Sequence, residues 1–583
     1  MVPGHRAYQI DRLRIEGAPA IDAALMKRRA SASPPSARLL DLSSARPVRG
    51  ALVAATGGCR LFDYVGGFRP TAYCEAGWAR FTRWTDSVFV RTLPDETGEL
   101  MIRDRAISPT GTIVDPWWDL ARDRAFYGLA LDRPAELWMS SVAGASTKIA
   151  SDGPWSPLDV SEDGRFVLAR REVASTRAGL YLIEIATGQA VALTDPDGLA
   201  VRARFVGNDV LAIVERADRR VLEWMSTRWR RQVGELDGDV VEFAVIPQGI
   251  VVVVERAGLS TLHLIDVATG HHRSIAEAPE GGVIRDLVAR ADAIGFSYAD
   301  TTHVHEVHVY QPDTFQQIMR WPTDRVVAPP AAFHEVVASD GVRSELLAFL
   351  PDGDKLPVIV ELHGGPEDRW LPIYDPFVDF ATSEGYAVIR PNVRGSAGQG
   401  RTYASLDDGD QREHVLRDVR ATLDWIATQP ELDASRVVVK GTSYGGYLAL
   451  AALRAFPDQL RGGITLGALT DFVGFLEGTA AYRRDHRRAE YGDERDPATR
   501  TRLAALSPSS WVHELKRPLL MAYGERDPRI PPATSARFVA SARTARVPVW
   551  AIAAADEGHW FEGTENRRAF DVLALQFLRA VNR

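Results

Sequence analysis

The stretch that decides the fold is Gly441-Thr442-Ser443-Tyr444-Gly445-Gly446-Tyr447. A β-branched run, Arg436-Val437-Val438-Val439-Lys440, leads into it, and an apolar helical pattern, Leu448 to Ala455, leads out. Strand, Gly-flanked turn and helix form the setting in which G-x-S-x-G acts as a nucleophile elbow. The serine sits on a sharp, strained turn with its hydroxyl exposed. Small residues two before and two after it let strand and helix approach closely. The bare motif also occurs in ordinary Gly-rich turns, so partners for Ser443 must be found elsewhere in the chain.

Working outward, the region after Pro329-Pro330 alternates strands with helices, as a mostly parallel sheet requires. Strands are expected at 343–350, 358–363, 387–391, 436–441, 463–466, 519–523 and 549–553. Helices are expected at 414–428, with Val415, Val419, Leu423 and Ile426 on one face, and at 568–581, with Phe570, Leu573, Phe577 and Val581. Helix-covered strands around a nucleophile elbow make an α/β-hydrolase sheet.

In that fold the order along the chain is Ser, acid, His, and reactive groups lie just past the carboxyl ends of strands. Asp527 follows the 519–523 strand within Gly524-Glu525-Arg526-Asp527-Pro528, and Glu525 is the competing acid, expected to face solvent. His559, in Asp556-Glu557-Gly558-His559-Trp560, is the only histidine after His513. The expected roles are Ser443 as nucleophile, His559 as general base and acid, and Asp527 as the carboxylate that sets the imidazole tautomer. An oxyanion hole needs two backbone donors. The residue after the nucleophile, Tyr444, supplies one, and Gly365 in His363-Gly364-Gly365-Pro366, directly after a strand, is expected to supply the other.

Upstream, residues 37–325 have a different texture of short alternating strands and turns. Residues 136–150 (ELWMSSVAGASTKIA), 180–194 (LYLIEIATGQAVALT) and 262–276 (LHLIDVATGHHRSIA) repeat one strand–turn–strand unit, with Gly at 144, 188 and 270. Related strands at 223–226 and 307–310 set a period of roughly 40–45 residues, the length of a four-stranded propeller blade. The region accommodates about seven blades. Residues 21–31 are expected to form a short helix, followed by a Pro/Ser-rich break at 31–36. The expected organisation is an N-terminal segment 1–36, a β-propeller 37–325 and an α/β-hydrolase domain 326–583.

Length and composition agree. At 583 residues the chain needs more than one core. A hydrophobic content of 45%, charged content of 25% and net charge of −8 describe a globular chain without the basic footprint of nucleic-acid or anionic-membrane binding. The first residues carry no secretory apolar core, and no apolar run is long enough to span a bilayer. With only Cys59 and Cys74, no disulfide framework is expected and the address is cytoplasmic by default. No cofactor is expected. The His303-Val304-His305 pair lacks further ligands, and Gly395, Gly398 and Gly400 lack dinucleotide-loop spacing, so neither a metal nor a nucleotide is expected.

Residues 330–583 resemble the catalytic domain of the prolyl oligopeptidase family, most closely its acylaminoacyl-peptidase branch. The residues that carry the resemblance are HGGP (363–366), NVRGSAGQG (392–400), GTSYGGY (441–447), EYGDERDP (490–497), SP (507–508), GERDPRIP (524–531) and DEGHWF (556–561). The resemblance implies a propeller before the hydrolase domain, an N-terminal segment returning to that domain, and hydrolysis of short peptides through an acyl-enzyme. It also implies an apolar specificity pocket lined by Phe472, Phe475 and Tyr447, with Arg529 on the propeller side of the cleft. Plain core packing is the competing reading of the three aromatics. The chain departs from the family at Trp560, where a Gly often follows the histidine; Trp would narrow the site or shield it from water. No Glu-Glu pair of the dipeptidyl-peptidase type is recognisable, which disfavours strict dipeptide release. An esterase or amidase acting on a small acyl compound would use the same triad, and a catalytically inert propeller scaffold is the reading from another class. The sequence leaves homo-oligomerisation and the physiological substrate open.

Overall fold

The computed structural model describes residues 7–8 and 13–31, the strand segments between 37 and 102, and residues 105–583 apart from 120–121, 131–133, 152, 277, 291–292, 305, 322–327 and 562. The Pro/Ser-rich break at 32–36 and His305 lie outside the described residues. Cys59 and Cys74 lie on paired strands whose side chains are outside them.

The C-terminal part is built on one nine-stranded sheet. In chain order its strands are β1 (Leu13–Glu16), β2 (Ala331–Val337), β3 (Arg343–Phe349), β4 (Leu356–Leu362), β5 (Ala387–Asn392), β6 (Leu432–Thr442), β7 (Leu460–Leu466), β8 (Leu519–Gly524) and β9 (Val549–Ala554). They lie side by side as β1-β9-β8-β7-β6-β4-β5-β3-β2. Pairing is parallel from β9 through to β5, while β1, β3 and β2 join antiparallel. The helices that matter here are α1 (Ala23–Ser31), α2 (Pro376–Ser383), α3 (Val415–Thr428), α4 (Tyr444–Ala455), α5 (Phe472–Gly478), α6 (Ala481–Tyr491) and α7 (Thr564–Val581).

Because side chains alternate across a strand, both faces of the central strands can be apolar, and β4 and β6 read that way. Val437 and Val439 enter a core with Val415, Val419, Leu423 and Ile426 of α3 and the apolar face of α4. Val438 enters the opposite core with Phe377 and Phe380 of α2, Leu25 and Met26 of α1, and Phe570, Leu573 and Phe577 of α7. Each such side chain stabilises the fold by about 1.5–3 kcal/mol relative to exposure. A sheet buried on both faces is what an all-Val/Ile/Leu strand pattern requires.

Residues 13–31 belong to this body. Strand β1 pairs with β9, Leu13 opposite Ala554, and the guanidinium of Arg29 on α1 meets Asp571 of α7 at 2.8 Å, both buried.

Between α1 and β2 the described residues form seven antiparallel sheets of four sequential strands. The three repeat units quoted above are the third and fourth strands of their sheets, joined at Gly144, Gly188 and Gly270, all with positive φ. From Gly98–Ile102 onward each sheet packs on the next, and the last (283–321) packs against Ala37–Leu42 of the first. Successive four-stranded sheets, the last of which packs against the first, are the arrangement of a propeller.

Candidate active site

The geometry of the site begins with strand register. Leu362 at the end of β4 sits opposite Gly441 of β6, Thr442 opposite Leu466 of β7, Leu466 opposite Ala522 of β8, and Gly524 opposite Ala554 of β9. Five parallel strands therefore end in line, and the loops leaving them share one rim.

On that rim, Ser443 occupies φ 58°, ψ −120°, a left-handed backbone for a residue with a Cβ. Such strain costs about 1–3 kcal/mol and persists only where the surroundings fix it. Here they do. A Cβ on Gly441 would lie 2.0 Å from the carbonyl oxygen of Gly445, and one on Gly445 would lie 2.2 Å from that of Leu362. The Ser443 amide donates to the Leu466 carbonyl at 2.9 Å, which pins the turn to β7.

Asp527 and His559 are brought together by the neighbouring strands β8 and β9. His559 Nδ1 lies 2.7 Å from Asp527 Oδ2, and both side chains are buried. The other oxygen, Oδ1, accepts the amides of Arg529 at 2.8 Å and Ile530 at 2.9 Å. With Oδ1 occupied by two donors, Oδ2 is aimed at the imidazole and holds its proton on Nδ1, leaving Nε2 to take up a proton. The imidazole lies against Gly467, where a Cβ would meet Cε1 at 3.3 Å, directly after the Leu466 carbonyl that holds Ser443. Glu525, the competing acid, instead pairs with Arg14 of β1 at 3.1 Å on the exposed edge.

The loop after β4 closes the other side. A Cβ on Gly364 would lie 3.4 Å from Ser443 Cβ, so this backbone passes directly over the serine. Gly365 has φ 111°, and a Cβ there would lie 2.5 Å from the amides of Glu367 and Asp368. Only glycine permits this turn. His363, buried, fixes the start of the loop through the Gly364 carbonyl at 2.8 Å and the Ser396 hydroxyl at 2.7 Å. Tyr444 is the first residue of α4, where amides have no helical partner.

Tyr447, Phe472 and Phe475 come together, all at or below 3% exposure, in one aromatic cluster with Tyr444 and Tyr491. Tyr447 meets Phe472 edge-on at 4.9 Å. Arg529 lies with its guanidinium 6.0 Å above the Trp560 ring, which in turn stands edge-on to His559 at 5.0 Å. Arg529 also lines a cavity of about 320 Å³ together with Trp155, Glu172, Tyr482 and His486. Trp155 and Glu172 come from one of the four-stranded sheets and Tyr482 and His486 from α6, so the cavity lies between the sheet array and α6. His303, by contrast, hydrogen-bonds Asp300 at 2.9 Å within its own loop.

Sequence reasoning passed over the charged residues behind the loop: Glu367, Asp407, Arg412, Arg487 and Glu490. Glu490 lies in a segment quoted for the resemblance, which gave one signal; Asp407 and Arg412 pair five residues apart, whereas Arg487 and Glu367 pair over 120 residues, which no local pattern records.

Comparison with known proteins adds to this geometry. Residues 375–582 match the model of the prolyl oligopeptidase family. Dipeptidyl aminopeptidase BIII of Pseudoxanthomonas mexicana is 29% identical over 226 residues, 38% of this chain and 33% of that protein. The acylamino-acid-releasing enzyme of Homo sapiens is 25% identical over 235 residues, 39% of this chain and 32% of that protein. The chain spans about a third of the length of these curated relatives. The crystal structure of puromycin hydrolase superposes with a TM-score of 0.81 at 19% identity over 97% of both chains. Pyrococcus horikoshii acylaminoacyl peptidase superposes at 0.70 and 16% identity over 94% of this chain and 96% of that one. These likenesses show the fold over the superposed 94–97% of the chain, an α/β-hydrolase sheet with a β-propeller. The family resemblance read from the motifs is shown over residues 375–582.

Proposed function

We propose that this chain, with its hydrolase sheet of prolyl oligopeptidase family type, is a serine peptidase that hydrolyses short peptides through Ser443, Asp527 and His559. The observation that carries the reading is the buried 2.7 Å contact between His559 Nδ1 and Asp527 Oδ2 on the rim where the Ser443 turn sits. His559 Nε2 takes the Ser443 proton as Oγ attacks the scissile carbonyl, then returns it to the leaving amine. The tetrahedral oxyanion accepts the amides of Gly365 and Tyr444. Water then repeats the sequence on the acyl-enzyme.

Substrate enters between the two bodies. In this reading the seven four-stranded sheets are the blades of one propeller spanning 37–325, residues 1–36 strap onto the hydrolase domain of 326–583, and the chain acts in the cytoplasm. Phe472, Phe475 and Tyr447 back the pocket for a bulky apolar side chain, and Arg529 binds a substrate carbonyl on the propeller side. The fold shared with puromycin hydrolase supports a second reading, an amidase or esterase for a small non-peptide acyl compound using the same residues.

Profiling free and N-acylated peptides by mass spectrometry, with small aryl amides and esters alongside and Ser443→Ala as control, separates the two. Peptide cleavage lost in the control supports the first reading. Turnover confined to small amides or esters supports the second. Peptide cleavage that survives in Ser443→Ala overturns both.

A further inference from the structure

Behind the Gly364–Pro366 loop lies a buried chain of charges that the triad does not use. It begins at Glu367, the residue after the loop, whose side chain is only 11% exposed. Ser175, in the turn between strands Phe166–Ala174 and Arg177–Glu184 of the propeller, donates its hydroxyl to Glu367 Oε1. Arg487 on α6 donates Nη1 to Glu367 Oε2 at 3.2 Å and, with the same nitrogen, to Glu490 Oε2. One guanidinium nitrogen thus holds two carboxyl groups.

The chain continues from Glu490 to the other side of the serine. Arg412 Nη2 donates to the Glu490 main-chain carbonyl at 3.2 Å and lies 3.4 Å from its Oε1. Its Nη1 donates to Asp407 Oδ2 at 2.7 Å, and the Tyr444 hydroxyl donates to that same oxygen at 2.7 Å. Its guanidinium also lies over the rings of Tyr491 and Tyr444, at 4.5 and 5.1 Å. Glu490, Asp407 and Arg412 are each at or below 3% exposure. The series therefore starts beside Gly365 and ends on the side chain of Tyr444, the two residues assigned above as oxyanion donors.

Its charges balance in one way. Burial and the neighbouring Glu367 carboxylate push the Glu490 carboxyl well above the usual range. Burial would raise Glu367 too, but Arg487, Ser175 and the Glu490 proton outweigh it and bring it down to about 2. The two shifts run in opposite directions, the pattern of two carboxyls held close together, where one favours the neutral and the other the charged form. Two guanidiniums, Arg412 and Arg487, then face the carboxylates of Asp407 and Glu367, with Asp408 at the more exposed edge 3.8 Å from Arg412.

Resting on the serine-peptidase reading, we propose that Glu367 and Glu490 are positioning residues: clamped side by side by Arg487, they fix the Gly365 loop relative to Tyr444 and so set the spacing of the oxyanion hole. Donors must lie about 2.7–3.1 Å from the developing oxyanion, and a displacement of about 1 Å costs on the order of 10²-fold in rate. Neither carboxyl touches the reacting atoms.

The test uses the full chain and four variants. Glu367→Gln and Glu490→Gln each keep one negative charge and one N–H donor between the two positions, and serve as the conservative rescues. Each is expected to retain kcat within about threefold. The double Gln variant removes the negative charge that faces Arg487, and Glu367→Ala removes the clamp. Both are expected to lose about 10²-fold in kcat with KM within about twofold, and to bind a peptide-aldehyde inhibitor correspondingly more weakly. If the double variant does not fold, as judged by its melting curve, Glu367→Ala at the edge of the cluster carries the same test. A folded double variant or Glu367→Ala with wild-type kcat overturns the proposal, as does a loss that appears only in KM. Fluorophosphonate labelling of wild-type Ser443 is the separate control. Its absence removes the serine-peptidase reading, whereas labelled Ser443 with unchanged variant kcat removes only the positioning pair.

Discussion

Replacing Asp527 by Asn tests the triad through a single hydrogen-bond argument. Oδ1 of Asp527 accepts two backbone amides, from Arg529 and Ile530, at 2.8 and 2.9 Å. An amide at this position must keep its oxygen there, because turning the NH₂ group toward two N–H donors leaves all of them unpaired in a buried site. The Asn NH₂ is therefore forced onto the side now occupied by Oδ2, 2.7 Å from His559 Nδ1. It can only donate, so Nδ1 must accept and the imidazole proton moves to Nε2, the nitrogen that has to receive the Ser443 proton. Loss of the correct tautomer lowers kcat by about 10⁴, or about 5.4 kcal/mol of transition-state stabilisation. The assay is kcat for a chromogenic peptide at pH 8, with the melting temperature showing that the near-isosteric variant folds. Glu525→Gln, altering a surface pair with Arg14, is the control and should stay within about twofold of wild type. An Asp527→Asn enzyme that retains more than a tenth of wild-type kcat refutes the tautomer argument. A large loss in Glu525→Gln would show that Glu525 is the acid.

Burial, with the Asp407 and Glu367 carboxylates opposing Arg412, pushes Asp408 up to about 7, above the unfolded value of about 3.9. Its contribution to stability is full below about pH 4 and is lost as pH rises through about 7. Asp408→Asn should therefore melt higher than wild type at pH 8 and at the same temperature at pH 4; an equal difference at both excludes this titration. Asp571→Ala removes the fully buried carboxylate that meets Arg29 at 2.8 Å and should cost about 3–5 kcal/mol, seen as an earlier guanidinium chloride unfolding midpoint, with Arg29→Met in the same chain recovering part of it. If substrate passes between propeller and hydrolase, kcat/KM should fall sharply for peptides beyond a few tens of residues; reduced, alkylated casein cleaved as readily as a short peptide would show an open site.

The parts of the molecule that declare themselves in sequence are those governed by local physics. The elbow is legible because Gly441, Gly445 and Gly446 leave no room for a Cβ, and the strand before it because Val437–Val439 are buried on both faces. The propeller repeat is legible only at third and fourth strands, where a short turn needs a positive-φ glycine such as Gly188. Strand β1 was missed because four residues, half of them exposed, show no more than one alternation, and its partner β9 lies over 500 positions away in sequence. Helix α6 carries Arg483, Arg484, Arg487 and Arg488 and reads as a solvated face; its role in burying Arg487 against Glu367 exists only once the chain has folded.

The central claim is that Ser443 is the nucleophile, and its most direct test is covalent. The full chain is treated with a fluorophosphonate at pH 8, digested and mapped by mass spectrometry, alongside Ser443→Ala and Asp527→Asn. The account predicts one adduct, on Ser443, none in Ser443→Ala, and labelling slowed by orders of magnitude in Asp527→Asn. An adduct on any other residue, or peptide turnover undiminished in Ser443→Ala, would contradict it.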